Sequence, residues 1–398
     1  MQTKSRWVLI LLSLCMFLSG CSLSLKLVDP GNTTVGFESS VEGSDLSLAG
    51  PGKPIPSAAQ SVMEHMSLSQ KVGQLVLVDI DDTAVSSEAE ALFKEYQVSG
   101  ILLSKQNLVD EAQISSLIHQ GNELAAAPHL MLRLPLLWCL AEEGGAIQSL
   151  PLAMGRLDSA QNIGYQDYSA SRQYGERIGG MFQQVGINTF LGPVFDVAGR
   201  NALLANLAFS TDVVRVAYHA SEEMLGLRHA GVISIAKYFP GSGDATTSVY
   251  SPYATVDKNY AQLLGNELLP FVAAIDRSVE AVLVSHVLYP QIDPDSPASL
   301  SPTIVEGLLR GELGYKGIVI CDDVHVEAIE AEMTPAEAAV RAIQSGCDMV
   351  MVKSGVEEQV RVLEALLQAC VEGRISPERL NDALSKVITL KQNYFMND

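Results

Sequence analysis

The chain has 398 residues, 47% of them hydrophobic and 18% charged, a balance that suits a soluble globular protein with a large core. Its formal net charge of -20 argues against nucleic acid as a partner, because phosphate would be repelled. Enzymes, binding proteins and scaffolds all remain open, and the length admits one large barrel or two ordinary domains.

Residues 1–21, "MQTKSRWVLILLSLCMFLSGC", start with Lys4 and Arg6, run apolar from Trp7 to Leu18, and place small residues before Cys21. That order is a secretory signal sequence, too short to span a membrane comfortably. The tetrad Leu18-Ser19-Gly20-Cys21 resembles a bacterial lipobox, so Cys21 is expected to carry a lipid that anchors the mature chain to a membrane of the bacterial cell envelope, outside the cytoplasm. The alternative is an ordinary cleaved signal with a chance cysteine. Residues 22–56 are rich in Ser, Gly and Pro and read as a flexible tether.

From Ser57 onward, "SAAQSVMEHMSLSQKVGQ" has helical spacing. Short apolar runs then alternate with longer amphipathic ones. Strands are expected at 73–80, 99–104, 134–141, 188–197, 232–239, 281–289, 317–323 and 347–353. Helical patterns stand between them, at 111–127, 212–231 and 357–373 among others. Eight β-then-α units with near-continuous apolar strands fit a single-domain α/β fold, a (β/α)₈ TIM-type barrel over residues 57–398. A doubly wound open sheet is the second choice. Cys139, Cys321, Cys347 and Cys370 form no CxxC pair and no Cys/His cluster, and read as buried small hydrophobes. No metal and no cofactor is expected.

Active sites of such barrels lie at the C-terminal strand ends. Those ends carry Glu142 and Glu143, Asp196, Lys237 with Asp244 beyond it, Ser285 and His286, Asp322 and Asp323, and Lys353. The set is mostly carboxylates, which suggests glycoside chemistry with one carboxylate as nucleophile.

Four segments carry a resemblance. "GINTFLGPVFDV" (186–197), "KYFPGSGD" (237–244), the run from Val284 to Asp323 that ends in "GIVICDD", and "SGCDMVMV" (345–352) together resemble glycoside hydrolase family 3. The branch most like it is that of the bacterial β-N-acetylhexosaminidases acting on cell-wall amino sugars, and the likeness runs from about Ser57 to Lys391. The resemblance implies a catalytic barrel, a glycan or amino-sugar substrate, and Asp322 as nucleophile; capping of the next helix is the other role open to that residue. It implies substrate-binding positions at Lys237, Tyr238 and His286.

The same resemblance exposes departures. The family loop K-H-F-P-G-H-G-D-T-x-x-D-S-H holds an Asp/His acid/base dyad near its end. Here Tyr238 replaces the first His, and the dyad positions become Ser248 and Tyr250. Ala141 stands where an Asp contacts the sugar, and Leu207 where an Arg does. A phenol titrates near pH ~10, and loss of general acid catalysis costs about 10²–10⁴ in rate. His325 and Glu142 are the candidate substitute acids, with Glu143 weaker because its family position is structural. The alternatives are a surface or helix-start histidine at His325, and stacking or plain packing for the two tyrosines. Two readings follow: a hexosaminidase with altered acid chemistry, or an inactive lipid-anchored barrel that binds glycan or protein.

Overall fold

A computed structural model describes residues 57–126, 134–199, 207–252 and 254–396. The signal segment with Cys21 and the tether lie outside them.

Each strand is apolar on both faces, and the two faces pack against different layers. Leu77, Leu102, Leu137, Cys139, Ile233, Ile235, Leu283, Ile318, Ile320, Met349 and Met351 share one buried cluster inside the sheet. Their neighbours Val76, Val78, Ile101, Leu103, Trp138, Leu140, Val282, Val284, Val319, Cys321, Val350 and Val352 belong to the layer between strands and helices. A period of two with both faces covered is the signature of a parallel sheet wrapped by helices.

The strands are β1 (Val76–Asp79), β2 (Gly100–Leu103), β3 (Leu137–Leu140), β4 (Thr189–Phe190), β5 (Ile233–Phe239), β6 (Ala281–Val284), β7 (Ile318–Asp323) and β8 (Met349–Val352). They pair in sequence order into a closed barrel, with β1 meeting β8 in parallel through Val76↔Val350 and Val78↔Val352. The barrel expectation holds, and the open-sheet alternative falls with the closure. Helices around the barrel include α1 (Glu111–Ala125), α2 (Tyr168–Val185), α3 (Val213–His229), α4 (Leu268–Asp276), α5 (Pro335–Gln344), α6 (Val356–Val371) and α7 (Pro377–Phe395). Val387, Leu390, Tyr394 and Phe395 of α7 join the interior cluster and close one end of the barrel. Among the described residues no helix is long and apolar enough to cross a membrane.

Three expectations need adjustment. The helical stretch after Ser57 is two helices, Ser57–Glu64 and Leu68–Gly73, because Ser67 caps the second in a capping box with Gln70. The strand expected over 188–197 keeps ladder pairing only at Thr189–Phe190. Its continuation runs through Pro193, which has no N–H to give, and touches β5 by a single bridge, Val194↔Lys237. Cys139, Cys321 and Cys347 are buried free thiols, whereas Cys370 is only half-buried.

Candidate active site

The β5 end is built around a buried acid. The Asp196 Oδ2 accepts the Tyr238 N–H at 2.9 Å, and Oδ1 accepts the Ser242 N–H and, at 3.2 Å, its hydroxyl. Burial pushes the Asp196 pKa up to about 7, against the pull of those donors. The turn that follows needs Gly241, with φ +118, a conformation in which a side chain would also meet Glu267. Its carbonyl accepts the Tyr289 hydroxyl at 2.8 Å. Asp244, the lone acid of this loop, pairs with Lys258 at 2.6 Å, and Lys258 also bonds Glu267.

Asp322 is the penultimate residue of β7 and is 3% exposed. Its Oδ1 accepts the Asp323 N–H at 2.8 Å, while Oδ2 is buried and has no hydrogen-bond partner among the described residues. Asp323, one step on and facing the other way, ties two strand ends together: its Oδ1 accepts N–H groups from His325 (3.1 Å) and Lys353 (2.9 Å). Neither acid caps the next helix, Glu327–Glu330, whose N-cap is Val326 with no side-chain bond. Burial raises the Asp323 pKa to about 7.

Tyr238 and Tyr250 come together, hydroxyl to hydroxyl at 3.2 Å. Tyr238 is 5% exposed and packs in the barrel's interior cluster with Leu207, Leu191, Val194 and, at its edge, Ala141. The positions where polar sugar contacts were looked for are thus an apolar continuation of the core up to the mouth. Tyr250 keeps part of its ring in solvent, but its hydroxyl turns inward. Burial holds both phenols well above the usual pKa, with the Glu143 and Asp322 charges adding to it at Tyr238, and Tyr238 and Asp322 at Tyr250. Neither can serve as a base near neutrality, and both are weak acids. Ser248 accepts the Tyr250 N–H at 3.4 Å and holds no titratable group. The Tyr250 carbonyl accepts the Ala328 N–H at 3.1 Å, tying this loop to the segment after β7.

Lys237 is buried, with Nζ 2.5 Å from Glu143 Oε1 and 5.3 Å from the centre of the Tyr238 ring. The expected order of the two glutamates is reversed. Both Glu142 oxygens are committed, to the N–H of Gly144 (2.9 Å), Ser149 (3.0 Å) and Leu150 (2.7 Å). Glu142 therefore shapes the β3 loop, and Glu143 faces the site. His286 is also turned to internal use. Its Nε2–H donates to the Asp323 carbonyl at 2.8 Å and its Nδ1 accepts from the Ser299 hydroxyl at 2.7 Å, so no ring nitrogen is left for a sugar. Burial lowers its pKa, in keeping with a neutral ring. His325 stands on the rim, 39% exposed along its side chain, with Nε2 3.8 Å from Glu330. Trp138 is core, donating its indole N–H to Asn122 at 2.9 Å. Glu223 on α3, which the sequence reading passed over, is a buried carboxyl whose electrostatic neighbours are Glu143 and Lys237. In sequence it is one of two adjacent acids on an amphipathic helix, which gives no hint of burial. Among the described residues no group of three His, Cys, Asp or Glu side chains is arranged to hold a metal.

The arrangement offers a carboxylate oxygen free to attack, a lysine–glutamate pair beside it, and no group at the two dyad positions that exchanges protons near pH 7. Residues 67–390 match the model of the glycosyl hydrolase family 3 N terminal domain. The chain is 29% identical over 324 residues to a β-hexosaminidase of Idiomarina loihiensis, covering 80% of this chain and 95% of that one. It superimposes with a TM-score of 0.80 on a glycoside hydrolase family 3 β-N-acetylglucosaminidase from Paenibacillus sp., at 33% identity over 84% of this chain and 64% of that one. A β-N-acetylhexosaminidase from Beutenbergia cavernae gives a TM-score of 0.75 at 29% identity, over 82% of this chain and 98% of that one.

Proposed function

Because the chain belongs to the family of glycosyl hydrolase family 3 N-terminal domains, we propose that it is a β-hexosaminidase-like glycoside hydrolase of the bacterial envelope. In this reading it is anchored by a lipid on Cys21 and handles amino-sugar glycans with Asp322 as nucleophile. The observation that carries the reading is the Asp322 carboxylate, with one oxygen fixed by the Asp323 amide and the other unpaired. The unpaired oxygen would attack the anomeric carbon as the bond to the leaving oxygen breaks, giving a glycosyl ester that water then cleaves. Lys237, and Tyr238 through its hydroxyl, are the groups proposed to touch the sugar. With Ser248 and Tyr250 at the dyad positions, the leaving oxygen takes its proton from solvent, so good leaving groups are favoured.

A second reading is supported by a separate observation. Asp322, Lys237 and Tyr238 are all nearly closed from solvent, and the apolar core reaches them through Leu207 and Ala141. A barrel filled in this way fits a catalytically silent protein that binds glycan or a protein partner.

Hydrolysis of 4-nitrophenyl β-N-acetylglucosaminide by the purified protein beside Asp322→Asn separates the two. Turnover lost in the variant supports the glycosidase; no turnover above the folded variant leaves the silent barrel. Anchoring is tested in the same preparation, since Cys21→Ser should move the protein from the membrane fraction to the soluble one.

A further inference from the structure

Glu223 holds a carboxyl that nothing above uses. Helices α2 and α3 touch backbone to backbone, and a Cβ on Gly175 would lie 2.2 Å from the Glu223 carbonyl. Glu223 itself lines a small cavity that it shares with Glu143. The residue is 3% exposed, and its carboxyl has no hydrogen-bond partner among the described residues. Glu143, Tyr174, Phe190, Phe209 and Leu207 are among the other residues that line it.

The cavity has room for about one water molecule. A metal ion is a poor occupant, because no three ligating side chains are arranged to hold one. An ammonium head is water-sized and asks for less: one or two carboxylates and the faces of aromatic rings. Both are present. The neighbouring cation does not compete, since Lys237 is already bonded to Glu143. His219, stacked on Phe209 at 5.7 Å, is kept neutral by burial and by Arg215, with its pKa at about 4.

We propose that this cavity receives a primary ammonium group, carried by an unacetylated amino sugar seated at the Asp322 mouth. The inference rests on the amino-sugar reading above for the identity of the carrier, and on Glu143, which lines the cavity and bonds Lys237, for the connection between the two places. Burial and then the Glu143 charge hold the Glu223 pKa well above the carboxylate range, with Lys237 pulling the other way. The other titratable groups around it are Glu142, spent on backbone N–H groups, and Tyr174, whose hydroxyl bonds the Asp158 carbonyl. An incoming ammonium would act as Lys237 does, favouring the charged carboxylate and so the release of any proton held there.

Isothermal titration at pH 7, in buffers of different ionisation heat, with glucosamine, N-acetylglucosamine and ammonium chloride tests this on the full chain. Glucosamine should bind about tenfold more tightly than N-acetylglucosamine, the order of one buried cation contact, with net proton release. Glu223→Gln should erase both the preference and the proton. Should that variant fail to fold, Phe209→Leu removes one ring and should weaken glucosamine several-fold. Equal binding of the two sugars, or a preference that survives Glu223→Gln, overturns the inference. Binding of ammonium chloride without glucosamine overturns it too. Asp322-dependent turnover with no glucosamine preference removes this inference and keeps the hexosaminidase reading; the preference without turnover does the reverse.

Discussion

The loop after β5 can be asked to regain its chemistry. Ser248 and Tyr250 already share one turn, with the Ser248 hydroxyl on the Tyr250 N–H, and the Tyr250 side chain reaches inward to Tyr238. The combined change Ser248→Asp with Tyr250→His puts a carboxylate and an imidazole on that turn. General acid catalysis contributes about 10²–10⁴, equivalent to about 2.7–5.4 kcal/mol of barrier. The gain should sit near the lower end, because Leu207 and Ala141 still supply no polar contact to the sugar. The folded state loses the Tyr238–Tyr250 hydrogen bond, about 0.5–1.5 kcal/mol, which does not threaten a domain of this size. The assay is a series of aryl β-N-acetylglucosaminides whose leaving groups run from 4-nitrophenol to phenol. The unaltered protein should slow steeply along the series, having no acid to assist. The double variant should slow much less, gaining about 10² on the phenyl substrate and little on the nitrophenyl one. The same slope in both proteins would refute the assignment of these two positions, and no turnover in either would refute Asp322 as nucleophile.

Two further predictions concern stability. Asp348 is fully buried and bonded to Arg310 (2.6 Å), Arg379 (2.8 Å) and Lys386 (3.0 Å). Burial would raise its pKa, but the three cations outweigh that and hold it well below the carboxylate range. Asp348→Asn strands those cations and should cost about 3–5 kcal/mol, seen as a lower Tm. The carboxylate's contribution is complete above the unfolded value of 3.8 and is lost as pH falls toward the folded one, so the variant's profile should be flatter below pH ~4. Lys391, also buried, donates to Gln74 and to the Ser99 carbonyl, each at 2.8 Å, and burial lowers its pKa to about 7. Between there and the unfolded 10.5 the unfolded chain binds more protons, so stability from this group rises with pH. Lys391→Met should flatten the rise in Tm between pH ~7 and ~10; an unchanged slope would place the charge elsewhere.

Why the barrel could be read before the site is a matter of how many residues carry each signal. Two-sided apolar runs such as "GIVI" and "MVMV" repeat eight times, and each says the same thing about a covered parallel sheet. A site residue speaks once. Glu142 and Glu143 are identical letters, and only the path of the β3 loop decides which carboxylate meets Lys237 and which collects backbone N–H groups. His286 looks like chemistry because histidine so often is, yet its two nitrogens hold the β7 end in place. Phe190 could not announce the end of β4, since pairing stops there through the geometry around Pro193 rather than through any change in hydrophobicity. Asp322 and Asp323 part company because a consecutive acid pair at a strand end must point to opposite faces, and only the structure shows that neither of them caps the helix that follows.

The bond from the Ala328 N–H to the Tyr250 carbonyl has a consequence for timing. Asp322 is 3% exposed, so a ligand cannot diffuse straight to the carboxylate. If this loop is what covers the carboxylate, arrival waits for it to part from the segment after β7. At high ligand concentration the observed association rate should therefore level off at the opening rate, and Ala328→Pro, which removes the N–H, should lift that ceiling.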